Sequence, residues 1–418
     1  MTRDPIQAIL SFNGGFDSLS LKRKLATITS SPFAFFRATF HLFAADMLDG
    51  PFSKLPVSAS VGRIVADLHT ENFGGFRGVT GELVYDINDF DDTAANQPYE
   101  YDLRRLMTSI VLGGVESGLR IGDAVNAAAT VAEHYMPTLT QFGPAKKREG
   151  LLELHDPSVV RRLLKVAGEK PRDVFMKSLA EPGPKDRFEF KPGNAHFRPV
   201  DGEIRMEAEK RFPDFLAHCQ LPKSATAAQY SFQDIVFRYA GKGSLGKNRY
   251  AVLARKGKDN DFEGLRLIEW KDSSDSPLVS GNKRKVSPNR NREVYEAALG
   301  FQMVAKRYLG YLTMCDRPMQ TREIGANDCR FAHDQYQTVE KLEQAAAVFG
   351  AITARAHLLA SIGSEGPRKF VERSGVAEDR LIHRLASFAV SYADRVHEDF
   401  DEVKRRAGEI SKGWKITS

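Results

Sequence analysis

Two acidic segments that lie close together in the chain restrict its fold more than any other feature of the sequence. The first is Val65-Ala-Asp-Leu-His-Thr-Glu-Asn-Phe-Gly74, and the second is Leu83-Val-Tyr-Asp-Ile-Asn-Asp-Phe-Asp-Asp92. The apolar start of the second segment predicts a strand that ends in aspartates. Oxygen ligands that converge from two neighbouring pieces of chain suit a hard divalent cation. The fold must therefore bring both segments to one site.

We predict that this cation is Mg²⁺ and that its ligands are Asn72, Asp86, Asp89 and Asp91. The structural alternative is a polar turn, in which Asp and Asn side chains cap helices or close turns. Oxygen-bearing residues in both segments make that explanation incomplete. The cation site is the hypothesis that we take forward.

The spacing of the first segment also indicates a catalytic role. Asp67 and Asn72 are five positions apart. A kinase catalytic loop has the same spacing between the Asp that accepts the proton and the Asn that binds the metal. Asp89-Phe90, later in the chain, matches the Asp-Phe pair whose Asp holds the metal on the phosphates in a kinase. Asp67 and His69 are the candidate catalytic residues, although orientation or packing is the simpler explanation of His69. For Asp102, a structural hydrogen bond to this loop or to a helix N-terminus is the favoured role.

After Asp234 the apolar residues recur at every second position, which is typical of a strand. This pattern predicts two strands joined by the glycine-rich loop Gly241-Lys-Gly-Ser-Leu-Gly246. A dinucleotide-binding fold or a P-loop needs a helix directly after the glycines, where this chain predicts a strand. A kinase-type flap over the phosphates of a nucleotide fits better. Its candidate binding residues are Gly241, Gly243, Ser244 and Gly246.

The next predicted strand, residues 265–271, ends in Lys271. In a kinase the lysine at this place contacts the phosphates and pairs with a helix glutamate, for which Glu296 on a predicted helix from Arg292 to Tyr308 is our candidate. An edge lysine is the structural alternative for Lys271. The catalytic segments precede the glycine loop here, whereas kinases have the reverse order. Circular permutation would explain this, because the termini of compact domains often lie close together.

These patterns predict an α+β fold of two lobes that is protein-kinase-like and circularly permuted. The stripe Phe33, Phe36, Phe40 and Phe43 is expected in its core. The expected division is a helical lobe with the catalytic and metal-binding loops at 1–150, a connecting or substrate-side region at 151–225, a small β-rich lobe at 226–330, and C-terminal helices that complete the large lobe at 331–418.

Composition limits the classes of partner. The 418 residues carry a formal charge of +6, which mildly favours an anionic ligand and does not indicate nucleic acid. The three cysteines have neither metal-ligand spacing nor an even count, so zinc and disulfides are not predicted. The N-terminus lacks a signal-peptide apolar region, and no apolar run reaches about 18 residues. We therefore expect a cytoplasmic protein without a membrane partner.

Taken together, six motifs resemble the bacterial DUF2252 family across most of the chain: Ser31-Pro-Phe-Ala-Phe-Phe-Arg37, Asp67-Leu-His-Thr-Glu-Asn-Phe-Gly74, Asp86-Ile-Asn-Asp-Phe-Asp-Asp92, Tyr101-Asp-Leu-Arg-Arg-Leu106, Gly241-Lys-Gly-Ser-Leu-Gly246 and Arg355-Ala-His357. The two catalytic-looking stretches also resemble aminoglycoside and choline phosphotransferases, which implies a small-molecule kinase fold. Ala66 stands where both families have Gly, and Lys271-Asp-Ser stands where the DUF2252 pattern has Lys-Glu-Ala.

The leading hypothesis is a phosphotransferase that uses ATP and Mg²⁺ and acts on a hydroxyl of an unidentified small-molecule or protein acceptor. A non-catalytic nucleotide-binding module, or pseudokinase, is the second class; it would keep the flap and Lys271 but tolerate loss of Asp67. A metal-dependent phosphohydrolase is the third class. It needs the carboxylates and has no use for the region from Gly241 to Lys271.

Overall fold

The computed structural model describes residues 3–141, 158–241, 246–257, 261–281, 285–331, 336–362 and 364–415. Helices and strands are mixed along the chain, so the predicted α+β class is confirmed. No helix within these ranges is both long and apolar enough to cross a membrane.

The chain begins with four helices: α1 (Pro5–Asn13), α2 (Ser18–Ile28), α3 (Pro32–Ala38) and α4 (Phe40–Leu48). The side chain of Ser31 caps α3 by accepting a hydrogen bond from the backbone N–H of Ala34, and Pro32 occupies the first turn, where its missing N–H costs nothing. The predicted aromatic stripe across α3 and α4 is buried, and its core role is confirmed.

The acidic segments lie between short paired strands. Strand β1 (Val61–Ile64) pairs with β4 (Ala94–Pro98), and β2 (Phe73–Arg77) pairs with β3 (Leu83–Ile87), both antiparallel. A single turn of 3₁₀ helix, Thr70–Asn72, connects the first segment to β2. The loop after β1 and the loop after β3 are thereby held next to each other. Helices α5 (Glu100–Glu116) and α6 (Ile121–Gln141) follow.

The middle of the chain alternates small helices with strands. Its elements are α7 (Ser158–Gly168), α8 (Arg172–Leu179), β5 (Ala180–Pro182), β6 (Phe188–Phe190), β7 (Phe197–Pro199), α9 (Gly202–Ala217), β8 (Tyr230–Arg238), β9 (Arg249–Lys256), β10 (Leu265–Asp272), α10 (Pro277–Ser280), α11 (Arg290–Phe301), β11 (Gly310–Met314) and β12 (Arg317–Glu323). Helix α11 ends seven residues earlier than predicted. The backbone of Gln302 is extended, and its side-chain amide donates to the carbonyl of Ile87, which anchors the chain where it leaves the helix.

Six strands form one antiparallel sheet in the order β11-β12-β10-β9-β8-β7. Successive side chains of a strand point to opposite faces, so β10 serves two cores. Ile268 and Trp270 pack on one face against α9, and Leu265 and Leu267 pack on the other against α8 and the β5–β6 hairpin. The second face ends in charged residues, among them Lys271.

Three further helices close the chain: α12 (Val339–Ala360), α13 (Glu378–Arg405) and α14 (Ala407–Gly413). They share one large apolar core with the N-terminal helices, from Ile6 on α1 to Trp414. Helix α12 crosses α6 at Gly350, where a Cβ would lie 2.2 Å from the carbonyl oxygen of Val131. Glycine is required at this crossing because a side chain would force the two helices apart.

Candidate functional site

A cleft of about 410 Å³ lies between the charged face of the six-stranded sheet and the two acidic segments. Asp67, Asn72 and Asp89 line one side, and Arg249 and Arg322 line the other. The volume is within the range of small-molecule sites. The early and late parts of the chain therefore meet at one site.

Lys271 extends from the end of β10 to the second acidic segment. Its Nζ lies 3.8 Å from Asp89 Oδ1 and forms a close ion pair with Asp91, whereas Lys247 Nζ lies 3.7 Å from Asp91 Oδ2. Burial alone would raise the pKa of Asp91, but these two ammonium groups hold it well below its usual range. The predicted proximity of Lys271 and Asp89 is confirmed.

Asp91 itself is committed to this ion pair, because one of its carboxylate oxygens faces the lysines and the other accepts a hydrogen bond from Gln320. This carboxylate neutralises the buried Lys271, and its role as a metal ligand stays a prediction. Burial lowers the pKa of Lys271, and Asp89 and Asp91 oppose that effect. A buried ammonium without such partners would lose its charge.

Asp67 is held by a buried arginine. Arg105 Nε donates to the Asp67 carboxylate, and the guanidinium packs on aromatic rings with its carbon 4.0 Å from the centre of the Phe36 ring. Burial raises the pKa of Asp67 to about 7; Arg105 opposes this shift, and Asp92 and Asp89 add to it. A carboxylate with such a pKa is suited to accept a proton at neutral pH.

Asp102 fixes the backbone that precedes Asp67. Its two carboxylate oxygens accept hydrogen bonds from Val65 N at 2.8 Å and Ala66 N at 2.7 Å. His357 Nε2 lies 3.0 Å from the same carboxylate, and its Nδ1 lies 2.8 Å from Tyr135 Oη. The network holds Ala66 at a φ of +76°, a conformation that costs a residue with a Cβ roughly 1–2 kcal/mol. The structural role predicted for Asp102 is confirmed.

Asp86, one of the predicted metal ligands, is engaged by protein groups at both of its carboxylate oxygens. It is fully buried, its Oδ1 lies 3.1 Å from Arg355 Nη2, and its Oδ2 accepts a hydrogen bond from Met303 N at 2.8 Å. The residue lies behind the cleft and does not line it. Helix α12 therefore holds the second acidic segment through Arg355 and the first through His357.

His69 and Asn72 close the turn that follows Asp67. Asn72 Oδ1 accepts a hydrogen bond from His69 N at 2.8 Å, and His69 Nδ1 accepts one from Glu71 N at 3.2 Å. Arg37 Nε lies 3.4 Å from His69 Nε2, and Arg37 Nη1 pairs with Glu71 Oε1 at 2.7 Å. His69 thus orients the loop, which favours the alternative to its catalytic role. The amide oxygen of Asn72 keeps a second lone pair for a cation.

The predicted glycine loop is described only at its ends, because Gly243 and Ser244 lie outside the described residues. Gly241 has a φ of +77° and lines the cleft. Gly246 has a φ of +96°, and a Cβ there would lie 2.1 Å from the ring of Phe16. Only glycine satisfies both the backbone and the contact at position 246.

Glu296 does not make the predicted contact with Lys271. Its side chain is 53% exposed and pairs with Arg292 Nε at 2.9 Å, one turn away on the same helix. Asp91 takes its place as the partner of Lys271. Glu269 is a glutamate that lines the cleft and that the sequence did not single out.

Three arginines surround Glu269. Arg249 Nη1 and Arg322 Nε each lie 2.9 Å from its carboxylate, and Arg238 Nη1 forms a third ion pair with it. Burial would raise the pKa of Glu269, but these guanidiniums hold it well below its usual range. Three guanidiniums share this one carboxylate, and Asp89 and Asp91 also act on Arg322, so this wall of the cleft presents guanidinium groups that suit an anion. The sequence signal was the position of Glu269, two residues before Lys271 and hence on the same face of β10.

Within the described parts of the chain, no three His, Cys, Asp or Glu side chains are grouped so that they could hold a metal ion by themselves. Mg²⁺ bound together with phosphates needs fewer protein ligands, often one or two carboxylates. Asp89 fits that role, since its side chain is 35% exposed and its buried Oδ1 has no hydrogen-bond donor among the described residues. Asn72 is the second oxygen ligand available beside it.

Comparison with known proteins gives one result. A family model described as "Uncharacterized protein conserved in bacteria (DUF2252)" matches residues 18–406. No curated protein and no solved structure matches the chain. The matched range includes both acidic segments, the strand that carries Glu269 and Lys271, and the part of α12 that holds the acidic segments.

Proposed function

The chain belongs to the DUF2252 family, and we propose that this member is an ATP- and Mg²⁺-dependent phosphotransferase with a circularly permuted, protein-kinase-like fold. The acceptor would be a hydroxyl group on a small molecule or a protein. The observation that supports this function most strongly is the 3.8 Å distance between the buried Lys271 Nζ and Asp89 Oδ1, because Asp89 lines a cleft that is also lined by Asp67. These residues are the phosphate lysine, the metal aspartate and the base that a kinase requires.

The order of elements supports permutation. Strand β8, the glycine turn, strand β9 and the lysine at the end of β10 follow one another as the flap and phosphate lysine of a kinase do. The loop with Asp67 and the segment with Asp89 come earlier in the chain. Chain order therefore differs from a kinase, and the proximity of Lys271 to Asp89 supports the proposal that the same functional groups meet in a permuted order.

The charges of the cleft fit a nucleotide with magnesium. Arg238, Arg249 and Arg322 offer planar guanidinium groups that suit phosphate oxygens, and all three contact Glu269. Asp89 and Asn72 would hold Mg²⁺, which when bound neutralises charge on the transferred phosphoryl group. Lys271 would bind the phosphates of ATP.

Asp67 would accept the proton of the acceptor hydroxyl. Burial raises its pKa to about 7, which makes it a stronger base than an ordinary carboxylate at neutral pH. Arg105 fixes the carboxylate, and the hydrogen bonds from Val65 and Ala66 to Asp102 fix the backbone before it. Positioning of this kind, rather than covalent chemistry, supplies most of the catalysis in phosphoryl transfer.

A second candidate is a nucleotide-binding regulatory module without catalysis. The pairing of Lys271 with Asp91, while Glu296 points to solvent, favours it, because kinases use the lysine–glutamate pair to orient the lysine. The metal-dependent phosphohydrolase gains no such support. That function would not require Lys271 and the arginine cluster to lie beside the carboxylates of the cleft.

The test measures two quantities, ATP turnover with and without candidate acceptors and Mg²⁺-dependent ATP binding. Asp67→Asn should leave binding nearly intact and depress turnover by about 10²-fold or more, since a positioned base contributes about 10²–10⁴-fold. Asp89→Asn should weaken binding itself, because a hard anionic ligand is lost.

Asp214→Asn is the matched control, because this aspartate on α9 is 56% exposed and lies away from the cleft. It should change neither quantity. Equal loss of binding in the Asp67 and Asp89 variants would assign Asp67 to the metal or to the fold. Nucleotide binding without turnover in any condition would favour the regulatory module.

A further inference from the structure

A second pocket, of about 360 Å³, lies apart from the catalytic cleft, where β2 and the end of α7 meet the six-stranded sheet. Its lining contains six basic side chains and one acidic side chain. The basic residues are Arg77, Lys170, Arg172, Lys256, Arg266 and Arg307, and the acidic residue is the exposed Glu263. The protein as a whole carries a formal charge of only +6, so this concentration of positive charge is local.

The arginines of this basic pocket make hydrogen bonds mainly to neutral groups. Arg77 Nη1 donates to Gly81 O at 2.7 Å, Arg307 Nε donates to Gly78 O at 3.0 Å, and Arg266 Nη1 donates to Glu263 O at 2.6 Å. Such bonds fix the direction of each guanidinium and leave its charge uncompensated. Several N–H groups per arginine remain for another acceptor, since a guanidinium has five.

The arginines also repel one another. Burial lowers the pKa of Arg172, and the neighbouring Arg266 and Arg307 lower it further. Burial and Arg307 act in the same direction on Arg77. Glu323, which lines the catalytic cleft, opposes these effects, but it is one carboxylate facing several cations. Like charges gathered in a half-buried pocket weaken the fold unless an anion joins them.

We propose that this basic pocket binds a small, multiply charged anion that carries phosphate groups. Guanidinium groups bind phosphate oxygens in pairs with fixed geometry, and four arginines facing one concave space can contact more than one phosphate. A nucleic acid would instead be expected to follow an extended basic surface. The converging arrangement around one pocket of small-molecule size therefore favours a small ligand. This inference does not depend on the activity proposed for the cleft.

Isothermal titration calorimetry with pyrophosphate, without added metal, tests the proposal. Arg266→Gln and Arg172→Gln should each weaken binding about 10- to 100-fold, the value of one hydrogen bond to a charged group. Arg162→Gln removes the same charge from an exposed position on α7 outside the pocket and should leave the affinity unchanged. Lys271→Ala is measured in parallel, because pyrophosphate bound beside Lys271 would be lost in this variant, whereas pyrophosphate bound in the basic pocket would remain.

A variant with the opposite expected effect on pyrophosphate affinity keeps the test decisive if an arginine variant does not fold. Glu263→Gln removes the acidic residue of the pocket and should tighten pyrophosphate binding roughly two- to five-fold, as expected for an exposed charge. The proposal is overturned if pyrophosphate does not bind, or if Lys271→Ala abolishes binding while the pocket variants do not. A single-stranded oligonucleotide that binds more tightly than pyrophosphate through the same arginines would assign the surface to nucleic acid instead.

Discussion

Replacement of Asp102 by alanine should destabilise the protein by about 3–5 kcal/mol, the cost of breaking a buried charged network. Asp102 is fully buried and accepts hydrogen bonds from Val65 N and Ala66 N, while His357 Nε2 lies 3.0 Å from it. Alanine would leave these polar groups without an acceptor, at roughly 1–3 kcal/mol for each buried group. The sum is reduced because Ala66 could then relax from its φ of +76°.

Urea denaturation followed by tryptophan fluorescence gives the free energy of unfolding for this comparison. Asp102→Asn keeps the shape and one acceptor oxygen, so it should cost less than Asp102→Ala, about 1–3 kcal/mol. Asp214→Ala, an exposed aspartate on α9, is the control and should stay within about 0.5 kcal/mol of the parent protein.

The double variant Asp102→Ala with His357→Gln should cost less than the two single variants added together, because both remove the same contact. If Asp102→Ala lowers the free energy of unfolding by less than about 1 kcal/mol, the hydrogen-bond network of Asp102 does not support the loop that carries Asp67. Strict additivity of the double variant would remove His357 from it.

Three further predictions concern single positions. Ala66→Gly should raise the free energy of unfolding by about 1 kcal/mol in urea denaturation, since glycine adopts a φ of +76° without strain; an unchanged or lower value would contradict the strain. Gly246→Ala should lower the free energy of unfolding by at least about 1 kcal/mol, because a Cβ at this position would clash with Phe16. Gly122→Ala is the control, since a Cβ there meets open space, and it should be neutral or slightly stabilising. Equal effects of the two substitutions would argue against the contact with Phe16. Because folding raises the pKa of Asp67 to about 7, the stability that it contributes is full below about pH 4 and is lost as the pH rises through about 7. Asp67→Asn should therefore lose less stability than the parent protein between pH 4 and pH 8, and parallel profiles would contradict the shift.

The sequence predicted those parts of the site that depend on local pattern. The acidic segments, the strand that ends in Lys271 and the aromatic core of α3 and α4 follow from short-range periodicity and spacing. The proximity of Lys271 and Asp89 was predicted by comparing this chain with kinases, which have the same functional groups in the reverse order along the chain. Each of these inferences needed few assumptions about tertiary structure.

The roles that were missed depend on partners far away in the chain. Asp86 became a structural residue because α12 brings Arg355 to it across the core, and spacing cannot show such a partner. The cluster around Glu269 requires the register of several strands, in which Arg322 lies directly opposite Glu269 on β12. The predicted contact of Glu296 with Lys271 was wrong because the spacing of residues in a helix shows which side chains are neighbours along that helix. It does not show which face of the helix packs against the sheet.

Calorimetric titration of a non-hydrolysable ATP analogue with Mg²⁺ into the parent protein, Lys271→Ala and Arg266→Gln tests the central claim most directly. The nucleotide cleft predicts binding to the parent protein, at least about tenfold weaker binding to Lys271→Ala, and unchanged binding to Arg266→Gln, which lies in the basic pocket. Absence of binding to the parent protein, or full binding to Lys271→Ala with loss in Arg266→Gln, would contradict a nucleotide site formed by Lys271 and Asp89.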